Sequence, residues 1–405
     1  MNLLPTSPDP FSPARLGPLR LRNRILKAAT FEGMTRHQTP TERLVDFHRQ
    51  MAAGGVAMTT VAFCAVSPDG RGTPNEIVVS PEAVGGLKRL AEVVHAEGAA
   101  VSAQLGHAGA VAAAAGRRAV APSARFSPVS MRRSVALGEP DIARITGEFA
   151  SATELLSGAG FDAVEVHLGH GYLLSEFLSP RLNHRRDRWG GTLENRARFA
   201  RQVLEAVRGA SGSEMAVIAK LNMADGVEGG LWVDESLEVA RMLQEDGNLD
   251  GLELTAGSSL ENPMYLFRGE APVREMARSF RQPVRAGFLL LGRRFFRTYP
   301  YEEGYLLPLA RQFRAELSLP LVLLGGISEL STVRSAMSEG FEFVAMGRAL
   351  LREPDLVNRF RVGSASKSLC IHCNKCMATI YDATHCVLVP PERRPGWAAG
   401  PESPA

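Results

Sequence analysis

Short apolar runs rich in β-branched residues recur along the chain, separated by longer stretches of helical periodicity. Eight runs have strand length: Ile25 to Thr30, Val56 to Phe63, Ala99 to Leu105, Asp162 to Leu168, Met215 to Asn222, Gly251 to Ala256, Pro320 to Leu324 and Phe341 to Met346. Most lead into an amphipathic segment, such as Glu82 to Ala96, Ile142 to Leu156, Leu193 to Val207, Glu235 to Leu243 and Leu330 to Met337. Eight strand–helix units predict an α/β fold, a (β/α)8 TIM barrel. An open doubly wound sheet is the alternative, weakened because the chain does not open with a Gly-x-Gly-x-x-Gly turn.

Polar residues gather where these runs end. Thr30, Gln104, His167, Lys220 with Asn222, Gly325-Gly326 and Gly347-Arg348 close six of the eight. A barrel builds its active site at that rim, so the set converges on one site. The barrel is expected over 12–362, finishing with a short helix around Pro354 to Phe360. A cysteine-containing extension over 363–389 follows, and a Pro-, Gly- and Glu-containing tail over 390–405 reads as disordered. The stretch 257–320 between the sixth and seventh runs is too long for an ordinary unit. It is rich in Arg and aromatics, including Phe267, Arg268, Phe288, Phe295, Phe296, Tyr299, Tyr301 and Tyr305. A long loop at that rim is expected either to cover the site and set substrate choice or to form a dimer interface.

Charge narrows the partners. The 46 basic and 43 acidic residues leave a net charge of +3, which gives no reason to expect attraction to nucleic acid or anionic membrane. No run approaches a membrane span, and the first residues lack the basic and apolar regions of a signal peptide, so a cytoplasmic location is expected. Lysine occurs only at Lys27, Lys88, Lys220, Lys367 and Lys375. Lys27, Glu165, Lys220 and Glu253 sit inside strand runs. If their faces point inward, at least one Lys–Glu contact must form, because an unpaired charge there is costly.

The most specific stretch is His167-x-x-His170-x-Tyr172, then Phe177-Leu178-Ser179-Pro180, Asn183, Arg185, Asp187, Trp189-Gly190-Gly191-Thr192 and Glu194-Asn195-Arg196-x-Arg198-Phe199. This order resembles the Old Yellow Enzyme family of flavin-dependent ene-reductases, with Trp189 and Thr192 in place of that family's usual Tyr and Ser. Gln104-Leu105-Gly106-His107-x-Gly109 and Ala65-Val66-Ser67-Pro68-x-Gly70-Arg71 extend the resemblance, which runs from Asn23-Arg24 through Gly347-Arg348.

The resemblance implies non-covalent FMN, hydride from NAD(P)H, and its delivery to the C=C bond of a small enone. It places Ala29 and Thr30 beside the flavin. The position that is usually Thr or Cys falls at Phe31 by spacing, so whether Thr30 or Phe31 faces the ring stays open. Gln104 offers an amide that donates and accepts, as a flavin pyrimidine edge requires. Lys220 offers a cation for the N1/O2 side of reduced flavin. Gly325, Gly326, Gly347 and Arg348 follow the seventh and eighth runs, where barrels commonly bind phosphate through backbone N–H groups and a helix N-terminus. His167 and His170 would hold the substrate carbonyl and Tyr172 would supply the proton.

Alternatives remain at this level. The histidine pair could be zinc ligands, though no third ligand is spaced nearby. Lys220 could form a Schiff base in a lyase on the same fold, and the fold could serve a non-catalytic flavin-binding protein. Cys370-x-x-Cys373-x-x-Cys376 with Cys386 resembles the iron–sulfur motif of the long dienoyl-CoA reductase branch, with narrower spacing. It reads as a metal-free remnant dispensable for ene-reduction, with a [4Fe-4S] cluster or Zn as the alternatives. A homo-oligomer is left open.

Overall fold

The structure, a computed structural model, describes residues 7–112, 119–127, 132–279, 281–380 and 383–398. Eight parallel strands form its centre: β1 (Ile25–Lys27), β2 (Met58–Ala65), β3 (Ala100–Gly106), β4 (Ala163–Leu168), β5 (Ala216–Asn222), β6 (Gly251–Thr255), β7 (Leu321–Leu323) and β8 (Phe343–Met346). Each pairs with the next, β8 pairs with β1, and β1 pairs with β2 through Leu26–Met58 and Lys27–Thr59. That last pairing closes the barrel and excludes the open sheet.

All eight expected runs are strands, with corrected ends. β1 stops at Lys27 because the chain then bends so that Thr30 Oγ1 donates to Glu32 Oε1 at 2.9 Å. β2 is displaced two residues C-terminally and ends at Ala65.

Helices clad the outside for the reason their spacing gives. In α5 (Leu193–Ser211) the buried set Arg196, Ala197, Phe199, Ala200, Val203, Leu204 and Val207 makes one face, and Thr192 Oγ1 accepts from Asn195 N at the N-cap. The core between helices and strands is continuous around the ring. Inside, the lower end is apolar: Leu26, Ala163, Ile218, Val322 and Phe343 pack beneath an antiparallel hairpin, Ala14–Leu16 with Leu19–Leu21. A Cβ on Gly251 would lie 2.8 Å from Leu16 Cδ1, so that strand position must stay bare for the plug to seat.

The long stretch after β6 contains α7 (Pro263–Phe267), α8 (Val273–Met276) and α9 (Val284–Phe295) before α10 (Leu307–Glu316) resumes the barrel rhythm. Met264, Val273 and Phe296 of this insert pack with Met377 of the cysteine-bearing extension. The extension also reaches the β1 end, where Thr384 N donates to Glu32 O at 2.9 Å and its hydroxyl donates to Phe31 O.

The expected disordered tail is corrected over 390–398. Trp397 is fully buried, edge-on to Phe47 at 4.7 Å, and its carbonyl accepts from Arg43 Nε at 3.0 Å. One large aromatic docking on α1 (Glu42–Ala53) outweighs a tail composition that otherwise favours disorder. Residues 399–405 lie outside the described residues. No described helix is long and apolar enough to cross a membrane.

Candidate active site

The rim of β4 carries the residues the spacing singled out. His167 is the penultimate residue of β4, His170 follows with φ +59°, and Tyr172 is the N-cap of α4 (Leu173–Leu178). The two imidazoles lie 4.9 Å apart at 72°, and the Tyr172 ring lies 4.9 Å from that of His167. Phe63 stacks on Tyr172 at 5.2 Å and 21°, and Phe31 packs in the same cluster.

His170 is set from three sides. Its N–H donates to Asn222 Oδ1 at 3.1 Å, its carbonyl accepts from Ser259 N at 2.9 Å, and its Nε2 is 2.8 Å from Thr255 Oγ1. One ring nitrogen is thereby engaged by β6, a partner the sequence spacing did not indicate. His167 Nδ1 is buried and has no hydrogen-bond partner among the described residues.

Burial holds both histidines neutral. Desolvation, with lesser repulsion from Lys220, lowers the His170 pKa to about 3, and desolvation followed by His170 and Lys220 holds His167 well below its ordinary value. A neutral imidazole has one N–H and one lone pair, so each ring can donate one hydrogen bond without carrying charge.

Below these rings lies an ionic layer. Lys220 Nζ is 2.8 Å from Glu165 Oε1 and 3.0 Å from Glu253 Oε1, and Gln104 Nε2 donates to Glu165 Oε1 at 2.5 Å. The Glu253 contact is an ion pair by distance without an aligned hydrogen bond. The expected inward Lys–Glu contact is therefore present. Lys27 is also inward, but it pairs with Glu32 at 2.5 Å, a carboxylate outside the strand runs that the reading of the sequence passed over.

On the far side, Gly325 and Gly326 have φ of +104° and +70°, which side-chain-bearing residues adopt at a steric cost. A Cβ on Gly347 would meet Thr30 Cγ2 at 3.6 Å, so the β1 and β8 ends adjoin. Among the described residues the N–H groups of Gly326, Gly347 and Arg348 have no hydrogen-bond acceptor. The Arg348 guanidinium donates to Asn374 Oδ1, lies 3.4 Å from Tyr305 OH, and is ion-paired to no described carboxylate. The helix after β7, α11 (Leu330–Ser338), does not offer its N-terminus. Glu303 accepts there from Ser328 N at 2.6 Å and Glu329 N at 2.9 Å.

A sequence profile described as the NADH:flavin oxidoreductase / NADH oxidase family matches residues 9–256. The chain belongs to this family. A 4,4'-dithiodibutanoate disulfide reductase of Rhodococcus erythropolis is 53% identical over 95% of this chain and 96% of its own length. A metal reductase of Desulforamulus reducens is 32% identical over 92% of the chain, which spans only 52% of that longer protein. Among solved structures, the old yellow enzyme homologue from Zymomonas mobilis matches with a TM-score of 0.71 and 25% identity, over 90% of this chain and 96% of that one. This Old Yellow Enzyme family member is thus an FMN- and NAD(P)H-dependent oxidoreductase, of the type whose ene-reductases act on activated C=C bonds.

Much of the motif that reveals the family is scaffold. Asn183 Nδ2 donates to Phe177 O and Trp189 O, both at 2.8 Å, and Arg196 donates to Leu178 O while pairing with Glu235. Four cysteines, Cys370, Cys373, Cys376 and Cys386, line one cavity of about 20 Å³ together with Arg348. All are free thiols, and among the described residues no group of His, Cys, Asp or Glu side chains is arranged to hold a metal ion.

Proposed function

We propose that the rim of β4 reduces the C=C bond of a small enone, with His167 and His170 holding the carbonyl oxygen and Tyr172 delivering the proton. The observation that carries this reading is the pair of desolvated, neutral imidazoles 4.9 Å apart beside one phenol. Two fixed N–H donors stabilise negative charge developing on an oxygen better in a dry site than in water. Phe63 and Phe31 keep that end of the mouth apolar.

The residues present fit FMN. Three N–H groups without acceptors and a guanidinium without a carboxylate, among the described residues, suit a phosphate at Gly325, Gly326, Gly347 and Arg348. The Gln104 amide and the Lys220 cation lie in the layer beneath, and Ala29 and Thr30 complete the β1 side. FMN supplies the hydride it has taken from NAD(P)H. Glu165 and Glu253 keep Lys220 charged and aimed.

Tyr172→Phe tests the reading. In stopped flow, oxidation of the reduced enzyme by 2-cyclohexenone should slow by about 10² to 10⁴, while reduction by NAD(P)H is nearly unaltered. Equal loss in both half-reactions would remove Tyr172 from the role. Replacing both histidines by Ala should weaken phenol binding and abolish its long-wavelength band, since the phenolate oxygen loses its donors.

A second reading rests on the Rhodococcus relative, whose close identity spans nearly the whole of both chains. The same rim would reduce a small disulfide, with Tyr172 protonating the departing thiolate. The barrel over 12–362 and the extension over 363–389 would work as one unit in the cytoplasm, with homo-oligomerisation to be read from solution mass.

A further inference from the structure

One cation of the insert stands in an aromatic cage without an anion among the described residues. Arg268 directly follows α7 with φ +52°, held there as its N–H donates to Met264 O at 2.9 Å and its carbonyl accepts from Asn374 Nδ2 at 2.6 Å. Its guanidinium carbon lies 4.6 Å from the ring centre of Tyr265, 4.8 Å from Tyr299 and 5.7 Å from Tyr305. The rings are themselves fixed. Asn262 Nδ2 donates to Tyr299 OH at 2.6 Å, and Tyr305 OH donates to Leu266 O at 2.5 Å. Tyr265 lies against Gly226, where a Cβ would come within 2.4 Å of the ring.

Among the described residues, Arg268 Nε is buried with no hydrogen-bond partner and no carboxylate is ion-paired to the guanidinium. The other described arginines with such an Nε, Arg125 and Arg196, have partners in Glu176 and Glu235. Aromatic faces offset part of the desolvation of a cation but accept none of its directional N–H bonds. The cage also stands on the wall that carries the histidines. Its segment begins at Ser258, which bridges to His170, and runs through Asn262 into α7.

We propose that Arg268 is the recognition point for a carboxylate on the substrate, so that the enzyme prefers acidic electron acceptors over neutral ones of the same shape. This rests on reading the β4 rim as the substrate site. A guanidinium fork matches a planar carboxylate through two parallel N–H bonds. The flavin phosphate is the other oxyanion that could reach this cage, and the test separates the two.

Holoenzyme reconstituted with FMN is assayed with 4-oxopent-2-enoate and its methyl ester. Arg268→Gln should raise KM for the acid about ten- to a hundredfold more than for the ester, and Arg268→Lys should recover part of the loss. Binding is read without turnover by titrating 4-hydroxybenzoate and its methyl ester into oxidised holoenzyme, and the same preference for the acid should be lost. FMN affinity, measured by fluorescence on ultrafiltration, should stay within a factor of two. An equal change for acid and ester overturns the proposal. So does a tenfold loss of FMN affinity without discrimination between them, which would assign Arg268 to the flavin phosphate. If the wild-type protein binds the acid selectively through Arg268 but reduces neither enone, the functional reading fails while the carboxylate site stands.

Discussion

Lys27 on β1 and Lys220 on β5 are equally buried inside one barrel, yet their surroundings treat their charge differently. Lys27 has one carboxylate, Glu32, which also accepts from Thr30 Oγ1 at 2.9 Å and Ala62 N at 2.8 Å. Desolvation outweighs that single partner, so the Lys27 pKa is lowered and that of Glu32 is raised. Burial works against Lys220 too, but Glu165 and Glu253 together overcome it and raise its pKa. Desolvation and the Glu165 charge then push Glu253 up to about 7. One carboxylate therefore does not hold a buried ammonium firmly charged, and two do so at the expense of an acid that titrates near neutrality. The first arrangement ties the β1 end down, and the second keeps a cation under the site.

The largest expected effect follows directly. Lys220→Met strands two carboxylates and should lower stability by about 3 to 5 kcal/mol in urea unfolding of the holoenzyme. Lys27→Met strands one carboxylate that keeps two other donors, and should cost about 1 to 3 kcal/mol. Equal losses would mean that the two pairs are equivalent and the contrast is wrong.

pH sharpens the same contrast. Folded Glu253 keeps its proton up to about pH 7, whereas unfolded it loses it near its ordinary 4.5. Between those values the folded state binds the extra proton, so this group's contribution to stability falls as pH rises and levels off above about 7. The unfolding free energy of the wild type minus that of Glu253→Gln, taken at pH 5, 6, 7 and 8, should decline by up to about 1.4 kcal/mol per unit until that plateau. A difference that does not change with pH would place the titration elsewhere.

The smallest effect is expected outside both networks, at the thiols. Asn374, not a cysteine, binds Arg348 and the carbonyls of Arg268 and Glu270. Cys373→Ser should leave ene-reduction within a factor of two, whereas Asn374→Ala should weaken FMN retention measured by ultrafiltration. Loss of flavin in Cys373→Ser would make the thiols part of the site.

The barrel was legible because buried parallel strands leave a local mark: each is a short apolar run bounded by polar ends and followed by a helical period. Strand ends also drew attention to Gln104, His167, Lys220 and Arg348, since a rim site collects strand-end residues whatever the loops do, whereas His170 and Tyr172 entered through the motif that resembles the family. Strand alternation was enough to foresee a Lys–Glu contact at Lys220. It could not choose Glu32 for Lys27, because Glu32 lies in a bend whose path depends on Ala62 of the next strand.

Tertiary structure alone decided the rest. Glu303 occupies the start of α11, Asn374 reaches Arg348 from the extension, and Trp397 buries itself against Phe47 although its surroundings in the chain are those of a tail. Arg268 was visible only as one arginine in an aromatic-rich insert, and its cage exists because Tyr265, Tyr299 and Tyr305 converge on it from separate turns. Periodicity is a property of neighbours along the chain, so it encodes strands, helices and their rims. Burial without a partner is a property of neighbours in space, and it appears only when distant segments have closed around a group and removed its water.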